Sequence, residues 1–84
     1  MKPLIHLNGN SKESLLKELK TAKESINNSI VRVEELTVHS RNYYPLENGD
    51  NQFQKDCSQV VGWLKELNSI EKQIEDSIIH IAKQ

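Results

Sequence analysis

Leu15, Leu19, Ala22, Ile26, Ile30 and Val33 recur at intervals of four and three residues, with Leu16, Leu36 and Val38 beside the row. That spacing holds the apolar groups on one side of a 3.6-residue helix and predicts a helix over 10–38, about 42 Å long at 1.5 Å per residue. A second row, Phe53, Cys57, Val60, Leu64, Leu67, Ile70, Ile74, Ile78 and Ile81, keeps the same rhythm with one slip at Ile70. Val61, Trp63, Ile79 and Ala82 widen it. It predicts a helix over 51–83. Capping boxes mark both starts: Asn10 with Glu13 (Ser11 as alternative cap) and Asn51 with Gln54, with Asp50 as rival cap. Asn27-Asn28-Ser29 and Gly62 are the weak points, the first a site for a bend or merely an exposed turn, the second for close approach of another backbone or ring.

Residues 1–9 break the helical rhythm. Pro3 blocks helix, and Leu4, Ile5 and Leu7 flank His6 before Asn8-Gly9, which reads as a short extended arm. Residues 39–50 form the connection between the helices, longer than a bare helix–helix turn requires. The expected fold is therefore all-α: a long antiparallel two-helix hairpin with a short extended N-terminal arm, one domain over 1–84. Both apolar rows are wider than a two-helix contact covers, and the chain has only 84 residues for a core. The surplus predicts assembly into a homo-oligomeric helical bundle. In such a hairpin the arm and the 39–50 loop lie at opposite ends, so only association of chains running in opposite directions brings them together.

Charge narrows the functional classes. With 11 basic and 12 acidic residues the net charge is −1, spread evenly, which disfavours duplex nucleic acid as a partner. A single cysteine, Cys57, leaves no internal disulfide and points to a reducing compartment. No run approaches the ~20 apolar residues of a membrane helix, and the first residues are too polar for a signal peptide. A cytoplasmic protein is the expectation. His6, His39, His80 and Cys57 lack metal-ligand spacing, so neither a metal nor another cofactor is expected. Cys57 falls on the apolar row, and the carboxylates lie mainly on wet faces. No nucleophile–base pair emerges, and the chain reads as a non-enzyme.

The candidate binding chemistry sits in the loop and the arm. Arg41 offers a planar fork for phosphate or carboxylate, while Tyr43 and Tyr44 offer ring faces and hydroxyl donors. Adjacent residues rarely face one way, so one tyrosine is expected to pack inward and the other to stay open. The alternative is a purely structural loop, with Arg41 capping carbonyls of the first helix. His6, Asn8, Gly9 and Lys12 surround a helix start, where unpaired N–H groups attract an anion, although ordinary capping also accounts for them. Trp63, beside Gly62, reads as an anchor between subunits or as a ring in a binding groove.

Ile5-His6-Leu7-Asn8-Gly9-Asn10-Ser11 together with Ser40-Arg41-Asn42-Tyr43-Tyr44-Pro45 resembles a group of small, largely uncharacterised phage and prophage helical-hairpin proteins. These share an Ile-His-x-Asn-Gly start and an Arg-x-Tyr-Tyr-Pro loop. Here Asn10 stands where Thr is commoner and Asn42 where Asp is commoner. The resemblance implies a viral origin, a bacterial host and the same fold. By analogy of lifestyle it suggests counter-defence: sequestration of a small anionic nucleotide signal of host immunity at inter-subunit sites. The rival expectation is a protein-interaction module that docks on a host or phage protein through its loop or a helix face.

Overall fold

A computed structural model describes residues 1–5, 11–36 and 38–84 of the chain. Two helices dominate, and no strand occurs among the described residues. α1 spans Lys12–Glu34, a short 3-10 turn spans Ser40–Asn42, and α2 spans Gly49–Ala82. The molecule is a helical hairpin, a rod of 63 × 17 × 16 Å. It is only two helices thick, so each helix has one intramolecular neighbour on which to bury apolar groups. No helix among the described residues is long and apolar enough to cross a membrane.

α1 starts on Ser11, whose extended backbone turns the chain in and whose Oγ accepts from Ser14 N at 3.1 Å. The cap is thus the alternative, Ser11; Asn10 lies outside the described residues. α1 stops at Glu34, four residues before the expected end, where the sequence turns to β-branched Thr37-Val38, poor helix formers. The helix runs unbroken through Asn27-Asn28-Ser29, and Ser29 returns its hydroxyl to Ser25 O at 3.0 Å. No bend is needed there.

The start of α2 departs from the capping box expected at Asn51 and Gln54. The helix begins two residues earlier, at Gly49, and its cap is Asn48, which holds the left-handed conformation (φ 58°, ψ 30°) and makes no side-chain cap bond. Asparagine tolerates this region better than other side-chain-bearing residues. Gly49 follows because nothing larger fits: a Cβ there would collide with the carbonyl oxygen of Tyr43. A sequence scan for hydroxyl or carboxylate caps has no means of seeing that contact.

Lys23 Nζ lies 2.7 Å from Glu75 Oε2 and sets the helix register. Counting along both helices from that pair, α1 ends beside about residue 64, and roughly the first fifteen residues of α2 project beyond it. The connecting segment folds back over this projection. The Tyr43 ring meets Phe53 edge-on, with centroids 5.6 Å apart and planes at 61°.

The fully packed core sits at the opposite end. Leu19, Ile78 and Ile81 are buried together, with Ile5, Leu15, Leu16 and Ile74 against them. Here the arm docks on its own chain. The Gln84 side chain takes Ile5 N–H on Oε1 (3.0 Å) and donates from Nε2 to Pro3 O (2.8 Å), filling the role of a strand partner. The Met1 amine donates to Ser77 Oγ at 2.8 Å. Toward the loop Ile30 is buried as well, but Val31, Leu36, Val61, Trp63 and Ile70 are exposed.

Candidate functional site

Three of the residues singled out by chemistry, Arg41, Tyr43 and Tyr44, line one open concavity of about 650 Å³ at the loop end. Its other wall is the first turn of α2, with Asn48, Gly49, Asp50 and Asn51. Successive turns build the shape. Tyr43 N donates to Ser40 O, Leu46 N to Tyr43 O, and Gly49 N to Leu46 O, at 3.0, 3.0 and 3.2 Å. Each turn starts on the residue that closes the one before, three residues further along, and the left-handed Asn48 then directs the chain into α2.

The two tyrosines divide their work. Tyr43 packs inward, its ring on Phe53 and its hydroxyl donating to Asp56 Oδ2 at 2.6 Å. Gln52 Nε2 donates to the other carboxylate oxygen at 2.8 Å, so Asp56 is held from two sides. That hydrogen bond to a carboxylate, with lesser help from burial and the Asp56 charge, holds the Tyr43 hydroxyl above its ordinary pKa of 10.0. Tyr44 is 91% exposed and presents its ring to solvent at the rim. Arg41 is exposed beside it.

Electrostatics in the concavity are mixed. Arg41 contributes one positive charge, and the unpaired N–H groups of a helix start favour negative groups. Asp50 stands in that first turn and contributes a carboxylate. The wall therefore combines a guanidinium, a ring face and an acceptor, a set suited to a ligand carrying both an anionic group and hydrogen-bond donors.

Lys12 lies at the other end of the rod, where its Nζ donates to the Gln84 carbonyl at 3.2 Å. His6, Asn8 and Gly9 lie outside the described residues. Within one chain the arm and the loop concavity are thus held apart by the length of the hairpin. Asn48 and Asp50, which the ligand reading of the sequence had passed over, belong to the concavity; the Asn-Gly pair with its following acid was the available signal. A Cβ on Gly62 would meet nothing within 4 Å, so no backbone or ring among the described residues uses that gap. Cys57 is half-buried on α2. Among the described residues no three His, Cys, Asp or Glu side chains gather to hold a metal ion.

Comparison with known proteins returned no match: no family model, no curated protein and no solved structure is similar to this chain.

Proposed function

We propose that the protein is a non-enzymatic binding protein that captures a small nucleotide-like anion at its loop end. The observation that carries this reading is the placing of exposed Arg41 and exposed Tyr44 on one concavity beside the first turn of α2. Arg41 holds phosphate, the Tyr44 ring stacks on the base, and Asp50 accepts from an exocyclic amine or ring N–H. Tyr43 supports the wall from behind. Capture without turnover is enough for function when the protein is abundant, because sequestration depends only on affinity and concentration. With the phage-type motifs around Ile5–Ser11 and Ser40–Pro45, the setting is removal of a nucleotide signal of host immunity by a homo-oligomer. His6, Asn8, Gly9 and Lys12 join the pocket only where a neighbouring chain brings its arm to this loop.

Isothermal titration against cyclic dinucleotides and cyclic ADP-ribose-type compounds tests the reading. The expected result is saturable binding that Arg41→Ala and Tyr44→Ala each weaken about tenfold or more. Absence of heat at tens of micromolar, or affinity indifferent to Arg41→Ala, removes it.

The exposed apolar groups Val31, Leu36, Val61 and Trp63 favour a second reading, a module that docks on a host or phage protein through a helix face. A stoichiometric protein partner recovered from lysate, together with no small-molecule binding, would decide for it.

A further inference from the structure

Among the residues that line the loop-end concavity, Arg41 is the one cation and Asp50 the one carboxylate. Neither makes a hydrogen bond or ion pair with the described residues, and the two are not bridged to each other. The nearby Asp56 is in the opposite state, with Tyr43 and Gln52 occupying both of its oxygens. Opposite charges thus share one hollow with their bonding capacity unused, and the exposed Tyr44 ring shares it with them. At about 650 Å³ the hollow falls within the range of small-ligand sites.

Asp50 decides how a nucleotide can lie here. A bare helix start draws phosphate to its N–H groups, but Asp50 stands in the first turn of α2 and repels it. The phosphate therefore goes to Arg41, and the base goes to Tyr44 and Asp50. Bases differ in what they offer a carboxylate, which has two acceptor oxygens side by side and no donor. Guanine presents N1–H and its N2 amino group next to each other on one edge, so both oxygens are satisfied at once. Adenine sets its N6 amino group between two ring acceptors, which leaves the second oxygen facing a lone pair. Cytosine has the same mismatch at N3, and uracil flanks its single N3–H with two carbonyls. The amides of Asn48 and Asn51, on the same wall, can turn to donate or accept and so make no choice between bases.

We infer that the concavity reads guanine, with Asp50 as the residue that determines the choice of base. The inference rests on the nucleotide capture proposed above and names the base captured. Tyr44 stacks on any base, since every base has a π-face, and adds affinity without selection. Arg41 grips the phosphate that all nucleotides share. Selectivity falls to a single side chain, which makes it separable by experiment from binding itself.

Isothermal titration of the full-length chain at neutral pH compares cyclic di-GMP with cyclic di-AMP, which share backbone and charge. Cyclic di-GMP is expected to bind about tenfold more tightly. Asp50→Asn should remove most of that preference, and the variant should bind XTP better than GTP, reversing the wild-type order. Xanthine keeps N1–H but carries a carbonyl oxygen in place of the amino group. An amide can accept from the first and donate to the second, whereas a carboxylate cannot. Such a reversal is a gain, which damage to the fold would not produce. Equal wild-type affinities for the two cyclic compounds, both weakened by Arg41→Ala, overturn the guanine reading and leave nucleotide capture standing. Binding of cyclic ADP-ribose-type compounds without cyclic di-GMP has the same meaning. A guanine preference that survives Asp50→Asn, or no gain for XTP in that variant with helicity retained, overturns the role of Asp50. Absence of binding by every compound overturns both the inference and the capture beneath it.

Discussion

One substitution made at two positions of α2 should act with opposite signs. Gly49 and Gly62 both lie in this helix, where replacing glycine by alanine ordinarily stabilises by about 0.5–1 kcal/mol through reduced chain entropy and better propensity. At Gly62 the added methyl meets nothing within 4 Å, so that gain should be realised in full. At Gly49 the methyl collides with the Tyr43 carbonyl oxygen, a backbone atom that also accepts from Leu46 N. No side chain can rotate aside. Either the first turn of α2 unwinds or the Ser40–Asn48 turns shift. Overpacking of this kind costs about 1–3 kcal/mol, so Gly49→Ala should be net destabilising by about 1–2 kcal/mol. For a domain of this size the two variants should bracket the wild-type Tm, each kilocalorie moving it by about 4–8 °C. Circular dichroism melts at one fixed protein concentration measure both shifts. If Gly49→Ala melts at or above the wild type, the close approach of Tyr43 to the helix start is not part of the native structure.

Among the described residues Ile81 is the one fully buried large side chain, and Ile81→Ala should cost about 2–5 kcal/mol in urea denaturation; a loss under about 1 kcal/mol would show that the arm-end cluster is loosely packed. In a Tyr44→Phe variant the remaining tyrosine, Tyr43, should ionise above the ordinary range in a tyrosinate absorbance titration. Because its folded pKa is raised, the stabilisation it lends is present at neutral pH and is lost as pH climbs through that raised value above 10. Asp56→Asn should bring the titration down again. At the left-handed Asn48, substitution by Gly should be neutral or slightly stabilising, whereas Val should cost on the order of 1–2 kcal/mol; equal melts for the two variants would contradict the assigned backbone.

Much of the hairpin was legible because its information is periodic. Three-and-four spacing of Leu15, Leu19, Ile26 and Ile30, and of Val60, Leu64, Leu67 and Ile74, can be satisfied by helix and by little else. Helix ends were less legible because contacts distant from any cap residue decide them. α2 starts where Tyr43 leaves room for no side chain, and that neighbour is known only once the turns at Ser40–Leu46 are built. The division between the tyrosines was foreseen as a principle, yet which one turns inward depends on Phe53 and Asp56 across the turn. The docking of the arm was not foreseen. Its polar part is carried by Gln84, an exposed amide whose partners, Pro3 and Ile5, lie at the far end of the sequence.

The position of the packed core bears on how the chain acquires its shape. Leu19 and Ile78 are brought together at the open end of the hairpin, not at its turn. The most strongly buried contacts are therefore among the most distant along the chain. Toward the turn, where closure is fastest, the structure offers the ring of Tyr43 on Phe53 and, further along α1, the buried Ile30. Zippering outward from the turn gathers little until the arm end closes, so loop-closure entropy is spent early and recovered late. Native-state hydrogen exchange should accordingly run as a gradient, fastest around Ser40–Asn51 and slowest around Ile78–Ile81. The end that presents Arg41 and Tyr44 is then also the end that opens most often, leaving the loop concavity adaptable while the far end keeps the two helices together.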